Sequence, residues 1–117
     1  MALLKKRLNY GFKMPHNKLN YFIQILLNKT ASISERDDAA IDLGNFDSEE
    51  ALDALLSVAR DKEDDDSIMD VCGESIAQIW VRRNQIDIEA YKNLHPYAQH
   101  EAKMYIEMNK PEWSKFL

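Results

Sequence analysis

The residues best suited to chemistry in this chain are its carboxylates. Asp61, Glu63, Asp64, Asp65 and Asp66 fall within six positions. Acids at that density either ligate a hard cation or face a basic partner. In a calcium loop, Asp61, Glu63 and Asp65 would take positions 1, 3 and 5. Position 6, which needs glycine, is Asp66, and position 12, which needs a bidentate glutamate, is Cys72. The motif fails at both decisive places, so no metal is expected. His95 and His100 are five apart, and the stretch HEAKM lacks the second histidine of a zinc helix. His16, His95 and His100 are therefore expected as surface or capping residues. Cys72 falls on an apolar helical stripe with no paired histidine and reads as a small core residue. No glycine-rich phosphate loop, nucleophile elbow or isolated carboxylate pair on an apolar face occurs, so neither enzymatic chemistry nor a cofactor is expected.

The second option, a basic partner, fits the distribution of charge. Residues 1–34 carry a net +6 with no acid, residues 35–75 a net −12, and residues 76–117 a net +1. The candidate partner-binding residues are Asp37, Asp38, Asp61, Glu63, Asp64, Asp65, Asp66, Asp70 and Glu74. Their field would speed association with a basic protein by roughly 10–1000-fold at low salt. It disfavours nucleic acid, whose binders need a basic stripe. The competing reading is a solvated turn plus acids that complement helix N-termini. Glu63 to Asp66 lack a capping or dipole explanation and stand out as the docking residues. The bases of the N-terminal third are spread over thirty residues, a weak signal for RNA or lipid.

The elements that must position these acids are helical. The chain has 117 residues, 45% hydrophobic and 30% charged, with three Gly, three Pro and one Cys. This composition suits one all-α domain with no disulfide framework. No apolar run approaches the ~20 residues of a membrane span. MALLKKRLNYGFKM has bases but no apolar h-region after them, so no secretory signal and a cytoplasmic location are expected.

A short helix is predicted over residues 2–9, broken before Pro15. Asn17 is read as the cap of a helix over Lys18–Asn28, with Leu19, Phe22, Ile23, Leu26 and Leu27 as its stripe. Ser34 is read as the next cap, with Asp37 as its carboxylate partner, and Gly44 as the stop. Ser48 caps a helix bearing Leu52, Leu55, Leu56 and Ala59. Ser67 is read as capping one bearing Ile68, Cys72, Ile76, Ile79 and Trp80, and Asp87 as capping a shorter one. Pro96 opens a helix reaching Asn109, with Ala98, Ala102, Tyr105, Ile106 and Met108 as its apolar side. After Pro111 a tail with Trp113 and Phe116 packs back.

Two of these helix pairs repeat. AIDLG at 40–44 aligns with IAQIW at 76–80 at an offset of 36, and EAL at 50–52 aligns with EAY at 89–91 at an offset of 39. The second copy carries a turn three residues longer. Helix pairs at such a period point to a short α-solenoid of six to seven helices. Its parts would be a partial repeat over 1–33, the best repeat over 34–66, a divergent one over 67–94 and a cap over 95–117. RDDAAIDLGNFDSEEALDALLSVARDKEDD resembles a HEAT-like repeat of the short bacterial type first associated with phycobilisome lyases. The resemblance is carried by Arg36, Ala40-x-x-Leu43-Gly44, Asp47-Ser48, Ala51-Leu52, Leu55-Leu56 and Asp61. It weakens over Asp70–Leu94, where Trp80 replaces the stop glycine and Arg82-Arg83-Asn84 lengthens the turn. The whole chain is also similar in size, charge and fold type to immunity proteins of contact-dependent growth-inhibition systems. That resemblance implies an antitoxin that binds one toxin domain, a basic nuclease, and occludes its active site. The HEAT-like resemblance alone implies a general scaffold or assembly subunit.

Overall fold

The computed structural model describes residues 16–117. They form α1 (His16–Leu27), α2 (Ile33–Leu43), α3 (Glu49–Ala59), α4 (Met69–Arg83), α5 (Ile88–Lys92) and α6 (Pro96–Asn109). A 3-10 turn, Asp66–Ile68, precedes α4, and a second 3-10 segment, Pro111–Phe116, follows α6. There is no strand among the described residues, and the all-α expectation of six to seven helices holds. The helix read over residues 2–9 lies outside the described residues.

Local signals set most boundaries. Ser48 accepts from Ala51 N and caps α3, and Asp87 accepts from Ala90 N and caps α5. Pro96 occupies the first turn of α6, where its missing N–H costs nothing, and His95 caps that helix by accepting from Tyr97 N. Three cap readings need correction. Asn17 lies inside α1, which begins at His16. The cap of α2 is Ser32, not Ser34: Ser32 Oγ accepts from Glu35 N while the Glu35 carboxylate accepts from Ser32 N. A glutamate at the third position reaches back to the cap, whereas Asp37 is a shorter side chain behind the wrong serine. The cap ahead of α4 is Asp65, which accepts from Ser67 N, so Ser67 belongs to the 3-10 turn.

Packing arranges the helices in two rows. α4 lies between α2 and α6, and α1 packs on α2 and α3. α2 and α4 run parallel. Ser75 Oγ donates to Ala40 O at 2.8 Å, and Arg82 Nε donates to Asp47 Oδ1 at 2.7 Å, each contact joining residues 35 apart. The repeat-related α2 and α4 are thus spatial neighbours, in contact at close to the repeat's own offset. Gly44 ends α2 with right-handed dihedrals, not the left-handed ones of a glycine stop. Close approach accounts for it, since a Cβ there would stand 2.7 Å from Ser75 Oγ and 2.8 Å from Gln78 Oε1. The core runs through all of this, with Leu26, Leu43, Leu55, Ile76, Trp80 and Ile106 fully enclosed and Cys72 among them. Burial pushes the Cys72 thiol up to about 12, far from nucleophilic range. Three apolar readings fail: Leu27, at the end of α1, is 47% exposed, Met108 is 81% exposed, and Phe116 is 46% exposed although Trp113 beside it in the tail is buried. Met108 lies across α6 from the buried Ala98, Ala102 and Ile106.

α4 and α6 meet backbone to backbone. A Cβ on Gly73 would overlap the Ala98 carbonyl and stand 2.7 Å from Ala98 Cα, and Ala77, Ala98 and Ala102 are fully buried beside it. Alanine is the better helix former by about 1 kcal/mol, but here the overlap is with rigid backbone. Gly73→Ala is therefore expected to destabilise by about 1–3 kcal/mol net, as overpacked cores do. Chemical denaturation measures it, and an unchanged or raised midpoint would contradict the close approach.

Candidate partner-binding surface

The structure divides the predicted acids into two groups. Asp64, read as a docking residue, is internal. Its carboxylate accepts from Arg36 Nη1 and Nη2, both at 2.8 Å, and from Asp65 N at 2.7 Å. The Arg36 and Asp64 side chains are 2% and 3% exposed. Arg36 Nε also donates to Leu26 O at 2.9 Å, satisfying a carbonyl at the end of α1 that has no helical partner. The other linker acids are partly engaged. Asp61 pairs with Lys29 at 2.7 Å and accepts from Glu63 N, Asp65 caps the 3-10 turn, and Asp66 accepts from His95 Nε2 at 2.9 Å. Glu63 is exposed. The run is thus a connector pinned at the buried Asp64, while Lys62, Glu63, Asp65, Asp66 and Ser67 are exposed as a solvated turn would have them.

Electrostatics follow from these contacts. The Arg36 hydrogen bonds hold the Asp64 carboxyl below the usual carboxylate range against the opposing effect of burial. Asp61 is likewise lowered by the Lys29 hydrogen bond. The sign at Asp64 is that of a depressed acid. Its contribution to stability is fully present above the ordinary carboxylate pKa and is lost as pH falls through the lowered one.

The second group lies on the outer side of α2 and α4. Asp38, Asp70 and Glu74 are exposed and Asp37 is half-buried. Asp37 is pushed up from the usual carboxylate range, first by burial and then by Asp38 and Asp70. Parallel packing of α2 on α4 creates this arrangement by bringing Asp37 and Asp38, in the second turn of α2, near Asp70 in the first turn of α4. Glu74 follows Asp70 by one turn of α4. None of the four forms an ion pair with a base among the described residues. Three like charges therefore crowd where a partner's cation would relieve them.

Sequence reasoning missed that Arg36 is buried, because its partner lies 28 residues away inside an acidic run. It also missed Arg82 and Arg83 as fasteners. Arg82 donates to Gly44 O and Asp47, and Arg83 pairs with Glu49 at 2.8 Å. Their spacing of 35 and 34 from those acids, close to the repeat offset, was the available signal. Among the described residues no group of three His, Cys, Asp or Glu could hold a metal ion, and no helix is long and apolar enough to cross a membrane.

Breaking a buried ion pair from one side leaves a charge unpaired, so Asp64→Asn is expected to destabilise by about 3–5 kcal/mol at pH 7. The Arg36→Met/Asp64→Leu double variant should regain most of that loss, since apolar groups of similar volume carry no desolvation penalty. Urea unfolding of the three proteins checks this. A single-variant loss below about 0.5 kcal/mol would mark the pair as a surface contact.

Compared with protein-family models, curated proteins and solved structures, the chain matches none of them.

Proposed function

We propose that this chain is a binding module for one basic protein partner, in its most specific form an immunity protein that covers the active site of a toxin domain such as a basic nuclease. The observation that carries the reading is the convergence of Asp37, Asp38 and Asp70 on the outer side of α2 and α4, with no cation among the described residues paired to them. Like charges held together by a rigid scaffold oppose one another in the free protein and are neutralised when lysines or arginines dock. The binding free energy then includes relief of that repulsion. The surface needs no chemistry of its own to inhibit, because covering a basic substrate groove is enough. The partner is a protein; nucleic acid, membrane and small molecules are not part of this reading.

A scaffold or assembly role is the second reading, and one observation favours it. Tyr97, Met104 and Met108 line the solvent side of α6, 53%, 45% and 81% exposed. Their spacing of seven and four residues puts them on one stripe, and exposed methionines suit adaptable contacts.

The test is kinetic. Asp38→Lys/Asp70→Lys leaves the buried pair and core untouched. In the proposed role it should slow association with the toxin domain encoded beside the gene by about 10-fold or more at low salt, the difference shrinking as salt rises. Co-expression of the wild type should restore growth to cells making that toxin. Unchanged association rates, or no protection from any adjacent toxin gene, would contradict the reading.

A further inference from the structure

The longer turn after α4 borders a groove. α4 has fifteen residues against eleven in α2, and its end is fixed in place. Asn84 adopts left-handed dihedrals (φ 56°), and Gln85 N donates to Trp80 O at 3.0 Å. This closes the helix in the Schellman manner, without a loose loop. Between this end of α4, the start of α3 and the start of α5 lies an open groove of about 510 Å³. Its floor includes the buried Leu52 and Trp80 and the half-buried Ile86, and its rim includes the exposed Glu49, Asp87 and Glu89. One base, Arg83, also lines it and is tied to Glu49. The rim therefore carries a net −2 around an apolar floor.

We propose that this groove docks a short segment of a basic protein partner, one that places an aliphatic side chain against the half-buried Ile86 and Ile88 between flanking lysines or arginines. The proposal rests on the basic-partner reading above and assigns the partner's anchor to a site separate from the α2–α4 acids. Charge complementarity selects the occupant. An acidic or neutral segment could reach the same apolar residues but would leave Glu89 facing it without compensation, whereas a cation gains from Glu89 and from the Asp87 carboxylate that caps α5. Ile86 and Ile88 supply the apolar contact that a purely electrostatic encounter lacks, and a few well-packed apolar anchors carry most interface energy.

The probe is an acetylated, amidated hexapeptide, Lys-Arg-Leu-Met-Arg-Lys, titrated into the full chain and followed by amide and indole NMR, with Glu-Asp-Leu-Met-Asp-Glu as the control. Saturable shifts at Gln85–Glu89 and the Trp80 indole are expected, about 5-fold or more tighter for the basic peptide. Glu89→Lys should weaken it by about 5-fold, the scale of one exposed charge pair. Shifts confined to Asp37, Asp38 and Asp70 would overturn the groove while leaving the basic-partner reading intact. Equal binding of the acidic peptide, or no saturable shift at residues 85–89, would overturn it outright. A folded Glu89→Lys protein, checked by its unchanged helical circular dichroism, that binds the peptide as tightly as wild type would also overturn it.

Discussion

The paired charges of Arg36 and Asp64 are the constraint on which the rest of the structure depends. Neither group can be taken out of water alone, and each is nearly fully enclosed, so the fold must bring them together. Doing so fixes three parts of the chain at once. Arg36 belongs to the first turns of α2, its Nε holds the last turn of α1, and Asp64 belongs to the connector that leads into α4. The connector's remaining acids then fall where they can cap the 3-10 turn, meet Lys29 and accept from His95, whose own backbone N donates to Ala59 O. A connector that composition alone would leave in solvent is pinned at Asp64 to Arg36 of α2, which also holds the end of α1. Such a pair is weak evidence for net stability, since an apolar replacement can do as well, but it is specific about geometry.

How much of this was legible in the sequence depends on the range of the interaction. Short-range features were readable from spacing: the stripes of α3 and α4, the caps Ser48 and Asp87, the start at Pro96 and the burial of Cys72 and Trp80. Even there, register matters. Ser32 and Ser34 both precede an apolar pattern, and the choice between them turns on which has a glutamate three residues on. That residue is Glu35, behind Ser32. The long-range features were hidden for a physical reason. An acidic run has the same composition whether it is solvated or folded around a buried guanidinium, and nothing local to Asp64 distinguishes it from Asp65. The glycines show the same limit. Gly44 looked like a conformational stop and is a packing requirement, visible only when Ser75 and Gln78 come within reach.

This division shapes the functional picture. Acids that work inside the scaffold cannot also be read as a docking face, and removing Asp64 from that set shifts weight from the connector to the outer side of α2 and α4. The parallel packing of α2 on α4 produces that surface, because it sets Asp37 and Asp38 beside Asp70. The same stacking leaves the C-terminal end of α4 free to diverge, and divergence there shapes the groove beside Trp80 without disturbing the core.

The central claim is that two aspartates belong to opposite classes, Asp64 clamped internally by Arg36 and Asp37 half-buried among other acids. A pH titration of the aspartate side-chain carbons by NMR tests it directly. Asp64 is predicted to titrate below the ordinary carboxylate range because of Arg36, and Asp37 above it because of burial and the neighbouring Asp38 and Asp70. If the two titrated together in the ordinary range, the internal clamp and the crowded surface would both be wrong.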